Sequence, residues 1–351
     1  MKNFIEQIYN KFSNDIGIDL GTANTLVHVK GHGVLINEPS VVALNTKTNR
    51  VVAVGNEARE MLGRNPSHIK VVRPLVDGVI SDFDVTEEML SYLIRKAEKA
   101  APKFFGPRVV VGVPSGITNV EHRAVYDAAH NAGAREVYII EEPMAAAVGL
   151  ELPVSEPVGS MVIDIGGGTT DIAVISLSGI VQSKNLKIAG DKLNYDIINY
   201  LRDEFKILVG EKTAEELKMS IGAVTDDDQL ETHVRGRDIV TGLPRQILVN
   251  NYDIREAIAH SVTQLVEGTK ELLERTSLEI VSDIMQRGIY LVGGGAMIRG
   301  LDQLIQHEIE IPVHVGPEPL YCVVVGTGIV LDDIERYLDV LIHQDDELPL
   351  R

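Results

Sequence analysis

The sequence predicts an α/β protein built twice over, and three observations carry that prediction. Its 351 residues are too many for one ordinary hydrophobic core and suit two domains. Short apolar runs alternate with longer helical patterns, as when strands are connected through helices. A strand-end motif also recurs 145 residues later, close to one domain length. It reads Ile18-Asp19-Leu20-Gly21 with Thr25 in the first half, and Ile163-Asp164-Ile165-Gly166 with Thr170 in the second.

Residues 15–29 read as a strand, a glycine turn and a strand. Ile16, Ile18 and Leu20 are apolar, Gly21 breaks the run, and Leu26, Val27 and Val29 resume it. Residues 109–113 form a continuous apolar run that ends in the turn Pro114-Ser115-Gly116. Residues 120–132 carry a helical pattern with alanines on the packed side. Residues 137–140 read as a further strand, followed by Glu141-Glu142-Pro143. Pro143 suits the first turn of the alanine-rich helix expected over 144–150. At Ser160 the pattern restarts with a strand over 161–165, the turn Gly166-Gly167-Gly168 and a strand over 172–177. Residues 151–159, with Pro153 and Pro157, read as the crossing between halves. Residues 40–76 and 191–252 read as inserted subdomains, the second holding an acidic loop, Asp226-Asp227-Asp228.

Composition narrows the function classes. An apolar fraction of 44% with 24% charged residues is that of a soluble globular protein. No apolar run reaches the roughly 18 residues that span a bilayer, and no secretory signal is legible at the N-terminus. The lone cysteine, Cys322, lies in an apolar run and reads as a small core hydrophobe, which points to the cytosol. A net charge of −18 repels a phosphate backbone, so nucleic acid is not an expected partner.

The repeated motif points to bound ATP. A glycine turn lets backbone N–H groups approach phosphate oxygens without a Cβ in the way. The strand-end carboxylate repels phosphate, but it can hold a water-clad Mg²⁺ that neutralises it. Two such turns would grip one triphosphate from both sides. A third glycine cluster, Gly293-Gly294-Gly295-Ala296, follows an apolar strand expected over 288–292 and offers another backbone lining. No G-x-x-x-x-G-K-[ST] stretch is present, and no strand runs into a G-x-G-x-x-G helix start.

These phosphate turns resemble those of the actin, DnaK-type chaperone and sugar-kinase superfamily. Within it the sequence resembles the rod-shape-determining bacterial actins, the MreB family, over nearly its whole length. The matching stretches include residues 15–27, 37–43, 77–80, 141–147, 164–174, 189–192, 236–238, 242–245 and 293–296. The resemblance implies an actin-like ATPase fold, with two duplicated domains of two subdomains each and ATP with Mg²⁺ in the cleft between them. The subdomains would comprise residues 15–39, 77–155 and 324–351 (IA), 40–76 (IB), 156–190 and 255–323 (IIA), and 191–254 (IIB).

The resemblance also implies residue roles. Asp19 and Asp164 would lie near the metal. Gly21, Thr22, Ala23 and Asn24 would form the first phosphate turn, and Gly166, Gly167, Gly168 and Thr169 the second. Gly190, Asp191 and Lys192 would join the nucleotide site, as would Gly293, Gly294, Gly295 and Ala296. Glu215 and Lys218, three apart on a helix expected over 213–220, would face the adenosine. Glu142 is the candidate for orienting the water that attacks the γ-phosphate, with Thr169 and Asp164 assisting and Glu141 as competitor. The implied partners are further copies of the chain, in head-to-tail protofilaments paired antiparallel, and membrane proteins of the wall-synthesis machinery. A small-molecule kinase of the same superfamily is the alternative, although no acceptor-site motif is legible.

Two segments suggest contact with the inner-membrane lipid. Phe4, Ile5, Ile8, Tyr9 and Phe12 fall on one face of a helix expected within residues 1–14, with polar residues opposite. Phe104 and Phe105 stand between Pro102 and Pro107, where relatives insert an apolar loop.

Overall fold

The computed structural model describes residues 15–100, 106–225 and 229–342. The expected membrane elements at Phe4, Ile5, Ile8, Tyr9, Phe12, Phe104 and Phe105 lie outside the described residues, as does the acidic triplet 226–228. The chain divides into two compact units. Unit 1 comprises residues 1–158, 175–181 and 320–351, and unit 2 comprises residues 159–174 and 182–319.

Unit 1 opens with β1 (Ile16–Leu20), β2 (Asn24–Val29) and β3 (Gly33–Pro39). A small sheet follows from β4 (Val42–Asn45), β5 (Arg50–Val54) and, after α1 (Asn56–Met61), β6 (Ile69–Val72). The short pair β7 (Leu75–Val76) and β8 (Val79–Ile80) leads to α2 (Phe83–Ala100). Then come β9 (Arg108–Val113), α3 (Asn119–Asn131), β10 (Glu136–Glu141) and α4 (Glu142–Gly149). The main sheet has the order β10-β9-β1-β2-β3. β9 and β10 run parallel to β1, while β2 and β3 are antiparallel neighbours. The interior of β9 is apolar and buried on both faces, as a central parallel strand requires. Thr118 and Glu121 start α3 with a capping box, satisfying two backbone N–H groups that the first turn leaves over.

Unit 2 repeats the plan. It contains β11 (Ser160–Ile165), most of β12 (Thr170–Ser176) and of β13 (Gly179–Leu186), whose connecting residues 175–181 count with unit 1, and α5 (Gly190–Glu204). An insertion carries β14 (Ile207–Leu208), α6 (Glu211–Ile221), β15 (Glu231–Asp238) and β16 (Pro244–Asn250). The long α7 (Asn251–Arg275) leads through α8 (Leu278–Arg287) to β17 (Ile289–Val292), then α9 (Leu301–Ile309) and β18 (Val313–Val315). The sheet order β13-β12-β11-β17-β18 matches that of unit 1 strand for strand, and β17 and β18 again join in parallel. The chain then returns to unit 1 as α10 (Cys322–Asp332), and Cys322 is buried, as its apolar neighbours predict.

Each sheet has its own apolar core. In unit 1, Ile16, Ile18, Val109 and Val111 pack with Leu90, Leu93 and Ile94 of α2. In unit 2, Met161, Ile163, Leu291 and Ile289 pack with Ile197, Ile258 and Leu265. At the amino ends of β1 and β9 a buried pair locks the register. Arg108 donates to Asp15 Oδ2 from Nη2 at 2.5 Å and from Nε at 3.2 Å. No helix among the described residues is long and apolar enough to cross a membrane.

Candidate functional site

In unit 1 the candidate residues gather at the carboxyl ends of the parallel strands, where open α/β sheets bind ligands. Asp19, next to last in β1, pairs in register with Gly112 of β9, and Gly112 pairs with Ile140 of β10. The apolar strands around Asp19 strip water from its carboxylate and push its pKa up to about 7. Glu142 begins α4 just beyond β10, and its Cγ lies beside Gly112, 3.6 Å from where a Cβ would stand. Glu141 is committed elsewhere: its Oε1 accepts the Gly116 N–H at 3.2 Å and braces the loop after β9.

The turn at residues 21–24 is held by hydroxyls. Ser40, fully buried, donates from Oγ to Gly21 O at 2.6 Å, and its N–H donates to Ala23 O at 3.0 Å. Ser40 Oγ also meets Thr25 Oγ1 at 2.8 Å. On the other side, Gly78 donates its N–H to Thr22 Oγ1 at 3.0 Å. Gly21 leaves no room for a side chain, because a Cβ would stand 2.6 Å from Asn24 O. Sequence reasoning missed Ser40 and Gly78 as supports. Both belong to stretches that match the family, but their contacts span 19 and 56 residues and leave no local pattern.

In unit 2 the turn at residues 166–169 is held by a helix end. Gly166 N–H donates to Thr169 O at 2.9 Å, closing the turn. Gly190 N–H then donates to Gly166 O at 3.1 Å, and Asp191 N–H donates to Gly167 O at 2.8 Å. The N-terminus of α5 is therefore fastened directly to the turn. Lys218 of α6 adds a third tie, donating from Nζ to Gly190 O at 2.8 Å. Burial lowers the Lys218 pKa, against the opposing pull of Glu215 and Asp191. Glu215 sits one helical turn from Lys218 on the same face of α6. Lys192 pairs with Asp196 one turn along α5.

Asp164 lies beside Val292 of β17 in the sheet register. The glycine cluster that follows β17 folds directly over it. Gly293 adopts φ 80°, and a Cβ there would collide with Asp164 Oδ1 and Ile165 O. Gly294, Gly295 and Ala296 continue as a single 3₁₀ turn. Unit 2 thus assembles Asp164, Gly166–Thr169, Gly190, Asp191, Lys218 and the Gly293–Ala296 turn around one strand end. Thr169 is buried and ends the turn.

The donor chemistry of both units fits a magnesium-bound nucleotide. Each offers a carboxylate at a strand end and a glycine-led turn, with no room for a Cβ at Gly21 and little at Gly166, where it would stand 3.2 Å from Thr169 O. Among the described residues no group of three or more His, Cys, Asp or Glu could hold a metal ion. A divalent cation beside one strand-end carboxylate would be held largely through water and phosphate, as hard, reluctantly dehydrated Mg²⁺ commonly is.

Two sheets of one strand order, each tipped by an aspartate and a glycine turn, define an actin-like protein. The family described as MreB/Mbl protein is matched over residues 13–339, and the chain belongs to that family. Its relatives include the cell shape-determining protein Mbl of Bacillus subtilis (strain 168), 49% identical over 93% of this chain and 98% of that protein. The cell shape-determining protein MreB of Escherichia coli (strain K12) is 48% identical over 95% of this chain and 97% of that one. The crystal structure of MreB5 of Spiroplasma citri bound to ADP superposes with a TM-score of 0.88 at 38% identity, over 93% of this chain and 98% of that one. A MamK double helical filament, at 22% identity and a TM-score of 0.77, shares the fold over 92% of this chain and 99% of that one.

Proposed function

We propose that the chain is an ATP-dependent, filament-forming bacterial actin at the inner face of the cell membrane, where it organises cell-wall synthesis and maintains rod shape. The duplicated aspartate-tipped glycine turn carries the nucleotide part of this reading. The cell shape-determining relatives supply the rest, and they favour it over a kinase of the same superfamily. MreB5 of Spiroplasma citri, similar over nearly its whole length, is described bound to ADP and to AMPPNP.

Each turn is a phosphate-binding element in this reading. Mg²⁺, when bound, neutralises the phosphate charge that the two aspartates would otherwise repel. Asp19 and Asp164 would hold it through water, and the backbone N–H groups of the turns would orient the phosphate oxygens. Glu142, at the start of α4, orients the attacking water, and the Thr169 hydroxyl steadies it. Asp191 and Lys192 lie on the first turn of α5 beside the second phosphate turn. Glu215 and Lys218 face the adenosine, and Gly294, Gly295 and Ala296 line its other side. The four-subdomain division given above is the framework for opening and closing around the ligand. Residues 1–14 and the Phe104-Phe105 loop attach the filament to lipid, next to membrane proteins of the wall-synthesis machinery. The chain itself remains cytoplasmic.

Pelleting of the full chain with and without Mg·ATP, with phosphate release followed in the same tubes, tests the reading. Filaments and phosphate that both require Mg·ATP support it. Nucleotide-dependent phosphorylation of a sugar, with no pelleting, would replace it by the kinase reading. For the membrane part, co-sedimentation with anionic vesicles is expected to drop on deleting residues 1–12 and on replacing Phe104 and Phe105 by Ala. Unchanged vesicle binding in both variants removes the anchor.

A further inference from the structure

Glu38 is an acid that the fold has put away from water. It is the next-to-last residue of β3 and only 6% exposed. A buried carboxylate is costly unless it is paired and hydrogen-bonded. Two separate elements supply its partners. Lys96 of α2 donates from Nζ to Glu38 Oε1. Asn56, the first residue of α1, donates its N–H to Glu38 Oε2 at 2.7 Å. Gly55, just before it, adopts φ 67° and lies against the same oxygen, where a Cβ would stand 2.1 Å from Oε2. Gly55 N–H in turn donates to Val41 O at 2.9 Å. Glu38 is thus a clasp at which β3, α1 and α2 meet.

The clasp stands two residues from the support of the first phosphate turn. Ser40 holds that turn through Gly21 O and Ala23 O. Between Glu38 and Ser40 lies only Pro39, whose ring fixes φ and leaves little slack. These residues also follow the turn in register. Glu38 stands opposite Thr25, Pro39 stands opposite Asn24, and Ser40 N–H bonds to Ala23 O. Two residues of extended chain span roughly 7 Å, so a shift at Glu38 passes to Ser40 with little loss.

On its other side the clasp reaches the insertion. Ala58 and Met61 of α1 pack with Val41, Ala43 and Ala53 around the small sheet. That shared core makes α1 and the β4–β6 sheet one piece, and Glu38 pins the piece beside the turn. An apolar pair at 38 and 96 would avoid the desolvation cost of burying a carboxylate. What the charged clasp adds is direction, because Glu38 accepts from α1 and α2 at once.

We infer that Glu38 is a positioning residue for the first phosphate turn, fixing Ser40 to α1 of the insertion and to α2, so that the seating of residues 42–72 and the grip on phosphate are set together. The inference deepens the nucleotide reading and rests on it. Glu38 acts through Ser40 rather than on the ligand. Coupling of this kind is reciprocal. An insertion held in place tightens the turn, and a nucleotide in the turn steadies the insertion by the same factor.

The test uses the full chain below the filament-forming concentration, titrated calorimetrically with Mg²⁺ and a non-hydrolysable ATP analogue. E38A should weaken binding about fivefold, the lower end of the usual coupling between sites. E38Q keeps an acceptor for the Asn56 N–H and should recover most of that loss. K96M, at a half-exposed position, keeps the Asn56 bond and should fall between wild type and E38A. S40A should lose about as much as E38A, and the double variant little more than either, because both act on one link. V109A, buried at the amino end of β9, should lower the unfolding midpoint with affinity unchanged, which separates positioning from general weakening. Hydrogen exchange supplies a readout independent of affinity. The analogue should slow exchange of the α1 and β4 amides in wild type but not in E38A. Wild-type affinity in E38A, full additivity of E38A and S40A, or undiminished protection of α1 in E38A overturns the clasp and leaves the nucleotide reading intact. If E38A does not fold, wild-type affinity together with wild-type protection in K96M overturns it in the same way. Failure of the wild-type chain to bind the analogue strikes the nucleotide reading, and the inference with it.

Discussion

The turn at residues 21–24 leans on hydroxyls and a neutral backbone donor, whereas the turn at 166–169 leans on a helix end and a buried lysine. The motif is shared, and so is the strand order that presents it. The supports are not shared. In unit 1 they come from Ser40, just past the end of β3, and from Gly78, in the turn between β7 and β8. In unit 2 they come from the start of α5 and from α6 in the insertion. A duplicated motif thus specifies where a phosphate turn forms, and the sequence between repeats specifies how firmly and by what chemistry it is held. Unit 1 uses groups that do not titrate near neutrality. Unit 2 places a cation behind its turn.

The sharpest way to test the division of labour between the halves is at Glu142, which begins α4 just after β10. Glu142→Ala should lower phosphate release by about 10²–10⁴-fold, the usual contribution of a positioned acid–base group, with ATP still bound. Glu141→Gln keeps an acceptor for the Gly116 N–H and should stay near wild type; a single-turnover assay compares the two. Next in size is Gly293→Ala. Its φ of 80° and the collision with Asp164 and Ile165 O leave nothing flexible to yield. Strain and overpacking together should cost about 2–4 kcal/mol in denaturant unfolding.

Ser40→Ala and Lys218→Met then sharpen the contrast. Ser40→Ala strands a buried carbonyl at Gly21 and should lower stability by about 1–3 kcal/mol. Lys218→Met strands the Gly190 carbonyl in the same way and should cost a similar amount of stability, but it also removes the cation beside the second turn, so nucleotide affinity falls as well. If Ser40→Ala lowered nucleotide affinity as much as Lys218→Met does, the two turns would be held by equivalent means and the contrast would fail. The smallest effect is on pH. With its pKa near 7, the Asp19 carboxylate becomes neutral as pH falls from 8 to 6 and loses its attraction for the cation. Mg·ATP affinity should fall about tenfold across that interval, and Asp19→Asn should flatten the dependence.

Much of this architecture was legible in the sequence. The apolar runs at 109–113 and 161–165 and the matched motifs at Asp19 and Asp164 indicate two sheets and two turns. Glycines at 293–295 mark a third close approach of backbone. Local pattern could not show that Ser40 reaches Gly21, that Gly78 reaches Thr22, or that α5 is fastened to Gly166 and Gly167. Those bonds join segments far apart in sequence, and serine or glycine in a loop has many ordinary uses. The bond from Gly116 N–H to Glu141 was hidden for the same reason.

Calorimetric titration of the full chain with Mg²⁺ and a non-hydrolysable ATP analogue, kept below the filament-forming concentration, tests the central claim most directly. Wild type should bind one nucleotide per chain. In the function proposed above Asp19 and Asp164 both serve the magnesium-bound nucleotide, so Asp19→Asn and Asp164→Asn should each weaken that single event by tenfold or more. Two independent binding events, or one aspartate substitution leaving the affinity untouched, would contradict the account.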